Sequence, residues 1–153
     1  MSRAFVKEAE DESVDLPDRP ISPHPNLVTA EGLAAIQRSI DRFNAAYKAA
    51  IDKNDKSAIA AVQRELRYWS ARLATAKLTQ PSRDRTHVHF GSTVVVRRED
   101  GRMQTYRIVG EDEADPSRGT VSHVSPFARA VVGKSVGDVV TILGREAEVL
   151  EIK

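Results

Sequence analysis

"AAIDKNDKSAIAA", residues 49–61, is a short polar interruption between two long stretches that share one apolar spacing. Upstream, Leu33, Ile36, Ile40, Phe43, Tyr47 and Ala50 recur at intervals of 3, 4, 3, 4 and 3 residues. Downstream, Ile59, Val62, Leu66, Trp69, Leu73 and Ala76 repeat that pattern. Alternating threes and fours place each set on one stripe of an α-helix. A lone helix with so narrow a stripe is marginal in water, whereas two joined by a few polar residues cover each other. Residues 29–80 are therefore expected to form an antiparallel helical hairpin, a rod of about 30–35 Å at 1.5 Å per residue. Thr29 stands where an N-cap is needed. Phe43, Tyr47 and Trp69 read as filling of the seam rather than a platform for stacked bases.

On either side of the rod the chain changes character. Residues 1–28 hold three basic and six acidic side chains, and "DLPDRPISPHPN" places Pro17, Pro20, Pro23 and Pro25 close together. Proline fixes its own φ and pushes its predecessor toward extended conformations, and no apolar periodicity is visible, so this segment is expected to be a mostly disordered or extended, solvated acidic arm. Residues 29–80 carry nine basic and five acidic groups; residues 81–153 carry eleven of each. After a linker at 81–86, the period becomes two. Val88, Phe90, Val94 and Val96 share a face, Asp100-Gly101 signals a hairpin turn, and "MQTYRIVG" reads as the returning strand. "TVSHV", "VVTI" and "AEVLEI" supply further strands. Ser125, Pro126 and Gly133 bracket a two-turn helix as N-cap, first-turn proline and C-terminal stop. The fold class is α+β: a coiled-coil helical hairpin, then a mostly antiparallel β domain with one short helix over residues 87–153.

Composition narrows the function. With 41% apolar and 29% charged residues the chain has the make-up of an ordinary soluble protein, and its net charge of +1 gives no general grip on nucleic acid or membrane. No cysteine is present, which excludes disulfides and thiolate metal sites. Neither a signal-peptide core nor a membrane-length apolar run occurs, so a cytoplasmic location is expected. His87 and His89 have an i, i+2 spacing usable by zinc, but no third ligand stands near them in the sequence. "GEDEAD", residues 110–115, gathers Glu111, Asp112, Glu113 and Asp115, and reads as a solvated, charged interaction loop.

"FGSTVVV" (90–96), "TYRIVGEDEADP" (105–116), "SPFARAVVGKSVGDVV" (125–140) and "AEVLEI" (147–152) resemble, in order and spacing, the C-terminal domain of the GreA/GreB transcript cleavage factors. "NLVTAEGL", residues 26–33, resembles the start of that family's helical hairpin. The resemblance implies an FKBP-like domain over residues 87–153 that holds the rim of the RNA polymerase secondary channel. It further implies a hairpin inserted into that channel, with tip acids that help the polymerase hold a second Mg²⁺ and cleave backtracked RNA. The factor would then be an accessory, not an enzyme, binding no cofactor alone, sharing Mg²⁺ with the polymerase, and meeting RNA and DNA only through the elongation complex. The polymerase-facing surface implied for this chain comprises Asp112, Glu113, Asp115, Ser125, Pro126 and Arg129. Prolyl isomerase activity does not follow from the FKBP-like fold, since Phe90, Tyr106 and Phe127 are the domain's only aromatics apart from histidines.

At the tip the match is partial. The family pattern resembles Gly-Asp-x-x-Glu-Asn; here Ile51-Asp52-Lys53-Asn54-Asp55-Lys56 keeps the acid spacing, loses the glycine, shortens the second acid and replaces the asparagine with lysine. The stretch from Gly32 to Phe90 is shorter than the family's by roughly twenty residues, about 15 Å of rod. Three readings remain open from the sequence: Asp52 and Asp55 assist cleavage; the hairpin only competes for the channel, as Rnk-type regulators do; or the chain is a general coiled-coil adaptor. Asn54, Asp55 and Ser57 are in any case turn and cap residues.

Overall fold

The computed structural model describes residues 15–153; the acidic beginning of the expected arm, residues 1–14, lies outside the described residues. Residues 15–26 run without regular structure into a two-residue strand β1 (Leu27–Val28). Two long helices follow, α1 (Ala30–Asp52) and α2 (Lys56–Thr75), and then the short β2 (Lys77–Leu78). Each of the twelve seam residues is buried or half-buried, so the two stripes do face one another. Thr29 caps α1 by accepting the Gly32 N–H at 3.0 Å. β1 and β2 pair at the foot of the rod, tying the chain that enters the hairpin to the chain that leaves it.

The base is a five-stranded sheet with strands β3 (Thr93–Arg98), β4 (Met103–Val109), β5 (Thr120–Ser122), β6 (Val139–Ile142) and β7 (Arg145–Ile152), ordered β5-β4-β3-β7-β6. β4 and β5 are parallel; the other neighbours are antiparallel. Helix α3 (Pro126–Val131) packs on one face and buries Phe127, Ala128 and Val131 against Val96, Ile108 and Val149. Alternation explains the pairs Val94/Val96, Val140/Ile142 and Ala147/Val149. Ile152 is three residues beyond Val149 and still reaches the core because the β3–β7 register shifts between Val95 and Val96.

Val88 and Phe90 do reach the core face expected of them, but not as part of a strand. Val88 is clamped by backbone hydrogen bonds with Gly133 and Lys134 at 2.8 and 2.9 Å. Gly91, at φ +86°, then turns the chain so that β3 starts only at Thr93.

Candidate functional site

The rod's tip is a tightly specified turn. Lys53 ends α1, and Asn54 adopts φ +50°, a left-handed conformation that asparagine tolerates better than most residues. The Asp55 N–H bonds Ala50 O at 3.1 Å and the Asn54 N–H bonds Ile51 O at 3.0 Å, a Schellman closure of α1. In the next residue the chain begins again: Asp55 is the N-cap of α2, its Oδ1 accepting the Ala58 N–H at 3.1 Å. Asp52 and Asp55 are thus held at the far end of the rod by two interlocked helix ends. Both are exposed. Asp55 gains from the positive N-terminal end of α2, whereas Asp52 lies in the last turn of α1, where the helix dipole opposes an anion. No described residue gives Asp52 a hydrogen bond or an ion pair.

The acidic loop departs from the solvated surface expected of it. Its acidic residues are half-buried, and Glu111, Asp112 and Glu113 face the foot of the hairpin. Arg72 of α2, with a side chain only 2% exposed, donates from Nε to Asp112 Oδ2 at 2.6 Å and from Nη2 to Asn26 Oδ1 at 2.8 Å. Glu111 Oε2 lies 3.7 Å from the same Nη2. Asn26 returns a bond from Nδ2 to Arg72 O at 2.8 Å. The Tyr68 hydroxyl donates to the other oxygen of Asp112, and Glu113 accepts from both the backbone N–H and the hydroxyl of Thr29. Gly110 lets the loop come this close: a Cβ there would sit 2.5 Å from Leu27 O.

The other candidate residues lie further round the base. Asp115 caps the 3-10 turn Pro116–Arg118 by accepting the Ser117 N–H, and Ser125 caps α3 by accepting the Ala128 N–H at 3.2 Å. Pro126 and Arg129 are exposed on α3. Arg129 Nη2 lies 3.3 Å from His24 Nε2, so the arm reaches the base. Upstream, the arm lies along α2, with Asp18 paired to Arg67, Arg19 paired to Glu65, and the Arg19 guanidinium 3.7 Å above the Tyr68 ring. His87 and His89 approach Asp84 at 3.6 and 2.9 Å. Among the described residues no group of three or more His, Asp or Glu side chains is arranged to hold a metal ion. No helix of the described chain is long and apolar enough to cross a membrane.

Tyr68 reports on this foot. Burial, and then the hydrogen bond to Asp112, push its phenol up from 10 to about 12. The folded state favours the neutral phenol, so the stability this contributes is complete below pH 10 and is lost as pH rises through about 12. In a phenolate absorbance titration, the step missing from Tyr68→Phe is expected near pH 12. A missing step near 10 instead would mean the hydroxyl is not engaged.

A helical rod whose acids stand at the far end, polar-locked by its foot to a β base with its own core, defines a two-part protein with a probe and a platform. The family model described as "Transcription elongation factor, GreA/GreB, C-term" matches residues 83–153. Transcription elongation factor GreA of Alkalilimnicola ehrlichii is 38% identical over 117 residues, covering 72% of this chain and 71% of that protein. GreB of Yersinia pestis is 36% identical over 103 residues, 64% and 60% of the two chains. Among solved structures, GreA factor homolog 1 of Thermus thermophilus aligns at TM-score 0.41 and 19% identity, covering 85% of this chain and 99% of that one. The chain belongs to the GreA/GreB family of transcription elongation factors.

Proposed function

We propose that this protein binds RNA polymerase through residues 87–153, seats at the secondary channel, and extends its hairpin so that Asp52 and Asp55 promote cleavage of backtracked RNA and elongation resumes. The observation that carries this reading is Asp52. A carboxylate without a partner among the described residues, in the last turn of α1, is disfavoured by the helix dipole, yet it stands at the rod's extremity, three residues from a second carboxylate, in a turn fixed by hydrogen bonds. Departures from local stability rules concentrate where a chain has work to do.

Two carboxylates are too few to hold Mg²⁺ alone, since the ion prefers about six oxygens, but they suit a site completed by a partner's ligands. Shared in that way, Mg²⁺ supplies charge stabilisation at the phosphoryl group and a more acidic attacking water. The part of this chain is to present Oδ atoms in a fixed frame. RNA and DNA are met only within the elongation complex. On the base, the exposed Pro126 and Arg129 with Ser125 and Asp115 form the docking surface, while Asp112 and Glu113 are turned to the foot contacts and join the base to the hairpin.

One observation favours a second reading, in which the rod only occupies the channel: Asp55 already serves as a helix cap, with Lys53 and Lys56 beside it. The test is to add the purified protein to backtracked complexes of its cognate polymerase with Mg²⁺. Accelerated release of 3′ RNA fragments supports the cleavage reading. Binding that displaces a cleavage factor without such release supports occupation alone, and no binding would discard both.

A further inference from the structure

We propose that Arg72, with Asp112, Tyr68 and Asn26, forms an aiming joint that fixes the direction of the rod relative to the base, and so positions tip atoms far from itself. This rests on the proposed function only for what the tip does; the joint itself is a property of the free protein.

The hydrophobic core of the base takes no residue from α1 or α2. Apolar packing inside the base therefore does not set the angle of the hairpin, and directional polar contacts join the two parts at the foot. Such contacts are directional. The planar guanidinium of Arg72 points one edge at Asp112 on the base and another at Asn26 at the entry to the hairpin. Asp112 uses its second oxygen for Tyr68, one turn earlier on α2. Two residues of one helix thus grip one carboxylate of the base, which resists rotation as well as separation. Across the foot, Glu113 holds the start of α1 by the backbone and hydroxyl of Thr29. Arg19 of the arm stacks on Tyr68, closing that ring into the joint.

The length of the lever gives the joint its consequence. α1 has 23 residues, so a tilt of about 10° at the foot moves the tip by about 6 Å. Oxygen ligands of Mg²⁺ must lie near 2.1 Å, roughly a third of that displacement. A joint that merely kept the two parts attached would not give such precision. One with several directional bonds on both helices does.

The test uses Arg72→Lys together with Tyr68→Phe, which retains a buried cation but not the two-edged fork. Because the chain has no cysteine, spin labels can be placed cleanly at Lys53→Cys on the tip and Thr141→Cys on β6. The tip-to-base distance distribution, measured without polymerase, is expected to broaden roughly twofold in the variant while circular dichroism stays that of the parent. With backtracked complexes, the saturating cleavage rate of the unlabelled variant is expected to fall about tenfold, with the half-saturating concentration unchanged. An unchanged distance distribution overturns the joint, whatever the polymerase assay shows. A broadened distribution with an undiminished saturating rate overturns its part in positioning. If the parent itself stimulates no cleavage, the proposed function fails while the distance measurement still decides the joint.

Discussion

A chain carrying both Asp52→Asn and Asp55→Asn is expected to bind the polymerase as tightly as the parent and to lose about 100-fold of its cleavage stimulation. Asparagine is chosen because the two aspartates do different structural jobs. Asp55 caps α2, and asparagine caps a helix about as well as aspartate, so the hydrogen bond to the Ala58 N–H survives without the charge. Alanine would remove the cap as well, costing about 1 kcal/mol at the helix start, and would confuse a frayed tip with a lost ligand. Asp52 carries no such duty. Its replacement removes an anion from the wrong end of a helix dipole, and the variant rod should be slightly more stable, by about 0.3–1 kcal/mol. Lost cleavage with retained or raised stability is a combination that a purely structural role for the pair does not produce. If the double variant cleaves as well as the parent, the carboxylates are not ligands, and the rod acts by occupying space.

The architecture was legible because its signals are periodic and local. Twelve residues at seam spacing define the rod, and the polar gap of residues 52–57 defines its turn; both follow from helix geometry without knowledge of the rest of the chain. Ser125-Pro126 and Gly133 marked α3 by the same local logic. The foot was not legible in that way. "GEDEAD" looks like a solvated loop because the partners of Glu111, Asp112 and Glu113 are distant in sequence: they are Arg72, Tyr68 and Thr29, about forty or more residues upstream. A trace of it does exist in α2: Glu65, Tyr68, Arg72 and Thr75 make a second stripe beside the apolar seam, at the spacing of one helix face. That stripe shows a polar flank with an aromatic in it, but not what the flank meets. The start of β3 was misplaced for a similar reason: Val88 and Phe90 alternate as a strand would, yet the turn at Gly91 depends on contacts with α3's exit and with β4.

Arg72→Ala is expected to cost about 3–5 kcal/mol, the largest single-residue loss at the foot, and the loss should fall on the hairpin first. Removing the guanidinium leaves Asp112 and Glu111 facing the space it occupied and Asn26 Oδ1 without its donor, so charges brought together by the cation repel instead. The base keeps its core, which draws on neither helix. Trp69 is the chain's only tryptophan and sits in the α1–α2 seam, so its fluorescence reports hairpin melting separately from the sheet. In a denaturant titration the Trp69 transition should move to lower concentration, ahead of the sheet signal, where the parent melts with the two closer together. The comparison that gives this meaning is Tyr68→Phe/Arg72→Met/Asp112→Leu, in which the cation, the carboxylate it grips and the hydroxyl on that carboxylate are exchanged together for apolar groups, with Asn26 and Glu111 left in place. Replacement of a complete buried ion pair is often neutral or stabilising, whereas breaking one partner is not, so the triple variant should recover the part of the lost stability that comes from stranding Asp112. It should not recover the narrow tip-to-base distance, because apolar contacts hold the parts together without fixing their direction. Stability restored with aim still lost is the outcome that assigns the joint's polar character to orientation; an Arg72→Ala chain whose Trp69 transition does not move would show that the foot is held by something other than this arginine.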